Sequence, residues 1–130
     1  MKKILVIDDE PHIRSLLKRM FEREGFHVAT ASDGKEGLAM FEQEPADIVI
    51  TDIIMPGMEG IETIRALRKS NPTLPILAMS GGGRMAPDAY LNMAKLLGAY
   101  EVLRKPIERE VLLSVVLKAL GRDSAGADST

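Results

Sequence analysis

The sequence predicts an α/β domain with an open, doubly wound parallel sheet of five strands and five helices. Three observations carry that prediction. Short aliphatic runs recur without the polar–apolar alternation of a half-exposed strand, as expected of strands buried on both faces. Each run precedes a segment of helical periodicity, and this strand–helix alternation repeats five times. A chain of 130 residues holds five such units in one domain and is too short for an eight-unit barrel.

The first strand is Ile4-Leu5-Val6-Ile7, which stops at Asp8-Asp9-Glu10. Pro11 stands where a first helical residue belongs, with Glu10 before it as an acidic cap. Ile13, Leu16, Leu17, Met20 and Phe21 follow at the spacing of an amphipathic helix that ends before Gly25. Phe26 to Ala31 reads as a second strand, and its polar members suit an edge. Gly34 to Glu44 is the second helix, with Leu38 and Phe41 inward and Ser32 or Asp33 as its cap. Asp47 to Thr51 forms the third strand and runs into Asp52. The loop 53–60 leads to a third helix marked by Ile61, Ile64 and Leu67, which ends near Ser70-Asn71, just before Pro72.

Leu74 to Met79 is the fourth strand, entered through Pro75. Gly81-Gly82-Gly83 then lead through Pro87 to a fourth helix carrying Tyr90, Ala94 and Leu97, closed by Gly98. Tyr100 to Arg104 is the fifth strand, broken by Lys105-Pro106. Glu108 to Leu120 is the fifth helix, with Val111, Leu112, Val115, Val116 and Ala119 on a broad apolar face. The expected domain is 1–121, and the small polar residues 122–130 read as a flexible tail.

Composition narrows the function classes. Hydrophobic residues make up 45%, charged residues 28%, and the net charge is −2, a globular balance without the basic excess of a phosphate-backbone binder. Direct nucleic-acid binding is therefore not expected. No Cys is present, which excludes disulfides, thiol catalysis and Cys-ligated metals, and two His argue against a multi-histidine site. The apolar run after Met1-Lys2-Lys3 is too short for a signal peptide. No stretch reaches the roughly 20 apolar residues of a membrane span. The expectation is a soluble, cytoplasmic protein with no membrane partner.

In doubly wound sheets, ligands bind beyond the carboxyl ends of the strands, where the strand order reverses. The first strand ends in Asp8-Asp9, the third in Asp52, the fourth in Ser80 and the fifth in Lys105-Pro106. Taken singly, each is ordinary: a cap, a turn serine, a surface lysine. Together they place three carboxylates, a hydroxyl and an ammonium at one end of one sheet. Three close carboxylates repel one another, and a hard divalent cation relieves the conflict. Magnesium takes one or two carboxylates, waters and a phosphate oxygen. The cluster thus reads as a Mg²⁺ site prepared for a phosphoryl group, with Asp52 as nucleophile. Lys105 would neutralise the transferring group from the other side, and Ser80 would hydrogen-bond a third oxygen.

These residues carry a resemblance. Ile7-Asp8-Asp9-Glu10, the run from Asp52 to Gly60, Ser80 and Lys105-Pro106-Ile107 make the chain similar, over residues 2–120, to the receiver domain of bacterial two-component response regulators, of the stand-alone, chemotaxis-receiver-like kind. The resemblance implies a flavodoxin-like fold with strand order 2-1-3-4-5. It implies phosphorylation of Asp52 by the phosphohistidine of a sensor histidine kinase or a histidine phosphotransfer protein, followed by slow self-dephosphorylation. Mg²⁺ would be held by Asp9, Asp52 and the main-chain carbonyl of Ile54, and by Asp8 through water. The Lys105–Pro106 bond would be cis, and Ser80 would act as the switch hydroxyl. The read-out surface would run from the fourth helix through the fifth strand to the fifth helix, roughly 87–120, and would also serve any homodimer.

Two departures stand out. Family members usually carry an aromatic residue three positions before the lysine, where this chain has Val102; Tyr100, five before, is the candidate substitute. The segment from Ser80 to Gly98 is longer and richer in glycine than usual, either as a more mobile switch loop or as a neutral insertion. Competing readings are weaker. A flavodoxin-like redox carrier needs a phosphate-cradling first loop and flanking aromatics, whereas this loop is acidic and Trp is absent. The complete set of Asp8, Asp9, Asp52, Ser80 and Lys105 argues against a pseudo-receiver. Against a metal-dependent hydrolase of the aspartyl-phosphate type, the resemblance implies only slow self-hydrolysis, not turnover of a free substrate. His12 and His27 read as surface residues, and Arg65, Arg68 and Lys69 as a solvated helix face.

Overall fold

The computed structural model describes residues 2–53, 60–80, 92, 95, 96 and 98–121. Among them are five strands and four helices. In order they are β1 (Lys3–Ile7), α1 (Pro11–Arg23), β2 (His27–Ala31), α2 (Gly34–Gln43), β3 (Ile48–Asp52), α3 (Gly60–Ser70), β4 (Ile76–Ser80), β5 (Glu101–Arg104) and α4 (Arg109–Ala119). The last of these is the helix predicted as the fifth. The predicted fourth helix falls almost wholly outside the described residues, as do Ile54, the loop 55–59, Gly81 to Gly83 and the tail 122–130.

The strands form one parallel sheet in the order β2-β1-β3-β4-β5, the arrangement that the resemblance implies. Alternation along each strand sorts the core into two layers. Leu5, Ile7, Val49, Ile76 and Ala78 face α2 and α3, where Phe41, Ile64 and Leu67 cover them. Ile4, Val6, Ile48, Ile50, Leu77 and Met79 face the other way, under Leu17, Met20 and Phe21 of α1 and Leu112 and Val116 of α4. Both faces are covered, so the central strands read as unbroken aliphatic runs. Only β2 and β5 lie at edges, and both carry exposed or half-exposed residues.

Asp33 caps α2, its Oδ1 accepting from the Glu36 amide at 2.8 Å. Glu36 reaches back to the residue before the cap, accepting from the Ser32 amide and hydroxyl, a variant of the capping box shifted by one position. Glu10 does not cap α1 with its side chain, contrary to expectation. Its carboxylate instead lies 3.9 Å from the Lys105 ammonium. Two residues expected to face inward do not: Leu16 is 55% exposed and Val111 44%. Helical spacing fixes the direction of an apolar stripe, but the width buried depends on how the helix sits on the sheet. Here Leu17, Met20 and Phe21 fill the contact, and Leu16 is left on its shoulder.

Candidate phosphoryl and cation site

The sheet order reverses between β1 and β3, because the chain goes from β1 outward to β2 and returns on the other side. The crevice beyond these two strands is framed by Asp8, immediately after β1, and by Asp52, the last residue of β3. Carboxylate oxygens of Asp8, Asp9 and Asp52 all lie within 4.8 Å of one another. Asp8 and Asp52 are buried, whereas Asp9 is exposed.

Lys105 reaches into this cluster from the end of β5. Its Nζ donates to Asp52 Oδ2 at 2.9 Å and to Asp8 Oδ2 at 3.1 Å. Burial works against its charge. Hydrogen bonds and attraction from Asp52, and then from Asp8, outweigh that penalty and hold its pKa above the ordinary 10.5. The ammonium is therefore a fixed positive charge at neutral pH. The Lys105 amide donates to the Ser80 carbonyl at 2.7 Å, which ties the end of β5 to the end of β4. Ser80 is buried beside it. The Lys105–Pro106 peptide bond is cis.

The main chain holds the carboxylates from behind. Asp8 Oδ1 accepts from the Glu10 amide at 2.9 Å. The Ile53 amide donates to the Met79 carbonyl, and the Gly60 amide to the Ile53 carbonyl at 2.7 Å. Gly60 packs so closely that a Cβ there would stand 1.9 Å from the Asp52 carbonyl oxygen. That need for glycine was not anticipated, since glycine at the end of a loop reads as a turn residue. Arg14 was also missed: its Nη1 donates to the Asp8 carbonyl at 2.8 Å, a contact with a main-chain atom that leaves no sequence pattern.

Of the predicted residues, Asp8, Asp9, Asp52, Ser80 and Lys105 come together at one end of the sheet. Val102 does not join them. It is half-buried and packs against the core layer under α2 and α3. Tyr100 precedes β5, is 44% exposed, and donates its amide to Ile76 at the far end of β4 from Ser80. His12 and His27 are exposed. Among the described residues no helix is long and apolar enough to cross a membrane. The donors in the cluster are all oxygens, a set that suits a hard divalent cation and offers nothing to a soft one. One lysine cannot neutralise three carboxylates, so the crevice has capacity for a cation.

Residues 4–117 match the response regulator receiver domain. The alkaline phosphatase synthesis transcriptional regulatory protein PhoP of Bacillus subtilis is 36% identical over 129 residues, covering 99% of this chain and 52% of PhoP. The chain thus spans about half the length of that relative. A response regulator receiver domain protein from Clostridium thermocellum superposes with a TM-score of 0.86 at 35% identity, over 93% of this chain and 95% of that one. The chemotaxis protein CheY4 of Vibrio cholerae gives a TM-score of 0.82 at 32% identity, over 92% and 98% of the two chains.

Proposed function

This chain belongs to the response regulator receiver domain family, and from that premise we propose that it accepts a phosphoryl group on Asp52 and signals by the conformational change that follows. The observation that supports this reading most strongly is the hydrogen bond from Lys105 Nζ to Asp52 Oδ2, beside Asp8 and Asp9, at the switch point of the sheet. Receiver domains are phosphoacceptor signalling domains rather than enzymes with a free substrate, and histidine kinases phosphorylate them. The donor here is the phosphohistidine of a sensor kinase or of a histidine phosphotransfer protein.

An Asp52 carboxylate oxygen attacks phosphorus. The new P–O bond forms as the P–N bond to the imidazole breaks, and the electron pair stays on the ring nitrogen. Lys105 stabilises the charge on the phosphoryl oxygens, a task it is pre-placed for because its ammonium already lies against Asp52. Asp9 and Asp52, with the Ile54 carbonyl, would hold Mg²⁺, and Asp8 would reach it through water. When bound, that ion supplies charge neutralisation opposite Lys105. Ser80 would bind a phosphoryl oxygen and convey the change to the segment after it. Val102 is too short to fill the space an aromatic fills in other members, so the signal runs through that segment.

The test is incubation with acetyl phosphate and Mg²⁺, read by intact mass. Wild type gains one phosphoryl group, and Asp52→Asn gains none. Equal labelling of Asp52→Asn would overturn the assignment.

A further inference from the structure

We propose that Arg14 is a positioning residue: by holding the peptide plane between Asp8 and Asp9 it sets the direction in which Asp9 presents its carboxylate. This rests on reading Asp9 as a cation ligand.

The β1–β2 ladder continues one bond past β1, with the Asp8 amide donating to the Ala31 carbonyl at 3.1 Å. By the alternation of a parallel ladder, the Asp8 carbonyl faces the same neighbour. That neighbour has ended, because the chain turns at Ser32 and Asp33 to cap α2. A carbonyl left there without a donor would be an orphan in a half-buried place. Arg14 supplies the donor, reaching back from the first turns of α1 with Nη1 at 2.8 Å. Every polar group of Asp8 is then engaged: amide to Ala31, carbonyl to Arg14, Oδ1 to the Glu10 amide and Oδ2 to Lys105.

Asp9 is the contrast. It is exposed and makes no hydrogen bond or ion pair with another described residue. Among the described residues, only its backbone aims its side chain. A planar peptide links the Asp8 carbonyl rigidly to the Asp9 amide nitrogen and Cα. The hold on that carbonyl is therefore one of two holds on the Asp9 backbone, the other being the Glu10 amide on Asp8 Oδ1 beyond it. Arg14 makes no ion pair among the described residues, and the nearby Glu36 carboxylate is taken by Ser32.

Two effects of Arg14 on a cation oppose each other. Its charge repels the cation, so losing it would tighten binding. Its positioning of Asp9 favours the cation, so losing it would weaken binding. Partners that orient metal ligands typically change affinity by roughly 10–100-fold, and we take positioning to win.

Mg²⁺ affinity measured by titration calorimetry separates the cases. Arg14→Met and the charge-retaining Arg14→Lys each weaken Mg²⁺ binding about tenfold. In an Asp9→Asn background the weakening disappears, the mark of action through Asp9: Arg14→Lys has no further effect, and Arg14→Met, which loses only the repelling charge there, binds no more weakly than Asp9→Asn alone. Without metal, the Asp8 carbonyl carbon shifts its NMR resonance in Arg14→Met while the melting temperature stays within a few degrees. If Arg14→Met binds Mg²⁺ as well as or better than wild type, or if its effect persists unchanged in Asp9→Asn, the proposal is overturned. If wild type itself binds no Mg²⁺, the reading of Asp9 as a ligand fails first and takes this proposal with it. If Arg14→Met does not fold, Arg14→Lys and its double variant decide.

Discussion

Replacing Lys105 with Met keeps most of the side-chain stem and removes one charge from between two buried carboxylates. The cost can be bounded from the site itself. Lys105 Nζ lies 2.9 Å from Asp52 and 3.1 Å from Asp8, and the Asp8 side chain is fully buried. In metal-free buffer the least costly relief is uptake of one proton by the carboxylate pair. Forcing a carboxyl group with an unperturbed pKa near 3.9 to carry a proton costs about 4 kcal/mol at pH 7 and about 1.5 kcal/mol at pH 5, at 1.36 kcal/mol per unit. These are ceilings. The Lys105 side chain is 19% exposed, so water already screens part of the interaction, and the Met variant escapes the ammonium's own desolvation. The expected loss is about 3 kcal/mol at pH 7, in line with the penalty for breaking a buried pair, and about 1 kcal/mol at pH 5. The sign follows from proton counting. The variant's native state holds a proton that the unfolded chain has released, so its stability falls as pH rises above about 4. The wild-type ammonium does not contribute to this slope, because its pKa lies above 10.5. Urea unfolding followed by far-UV circular dichroism in EDTA, at pH 5 and pH 7, measures both values. A penalty equal at the two pH values, or under 1 kcal/mol at both, would refute the reasoning.

Gly60→Ala should cost more than Gly37→Ala by at least about 2 kcal/mol in thermal denaturation. At Gly60 the new Cβ meets the Asp52 carbonyl oxygen at 1.9 Å, a main-chain atom that cannot yield, whereas at Gly37 it meets the movable Cδ1 of Ile7 at 2.4 Å. The reverse order would show that the Asp52–Gly60 approach is not a constraint. Asp33→Ala removes the acceptor for the Glu36 amide and should cost about 1 kcal/mol, measured as a shift in the urea midpoint. Val102 is half-buried, so Val102→Ala should cost about 1 kcal/mol in stability and leave acetyl-phosphate labelling of Asp52 within twofold. A large loss of labelling would give Val102 a role beyond packing.

Much of the fold was legible because its strands are buried on both faces. Ile4-Leu5-Val6-Ile7 and Ile48-Val49-Ile50 have no polar alternation, since α1 and α4 cover one side of the sheet and α2 and α3 the other. The edge position of β2 showed in the polar members His27 and Thr30. Strand ends were read with an error of one or two residues. A ladder ends where hydrogen bonding ends, and β4 therefore begins at Ile76 and takes in Ser80. Leu16 and Val111 were misjudged because periodicity gives the direction of a buried stripe without its breadth.

The site was legible through a rule of topology rather than through any local pattern. Asp8 and Asp52 are 44 positions apart and meet because β1 and β3 are neighbours in register, Ile7 beside Thr51. Lys105 joins them because β4 and β5 align Ser80 with Arg104. Side chains at strand ends can be placed this way from sequence alone. Contacts to the main chain cannot: neither the Arg14 bond to the Asp8 carbonyl nor the approach of Gly60 to the Asp52 carbonyl involves a partner side chain that would mark it. The illegible part of the site is thus the scaffold behind the carboxylates. That scaffold also decides how a cluster of three acids and one lysine is used. Asp8 and Asp52 are held close to Lys105, while Asp9 stays exposed, with no side-chain partner among the described residues. A fully neutralised cluster would have no use for a cation. Among the described residues this one leaves the Asp9 carboxylate exposed and without an ion-pair partner, which is room for the cation and the phosphoryl group of the proposed function.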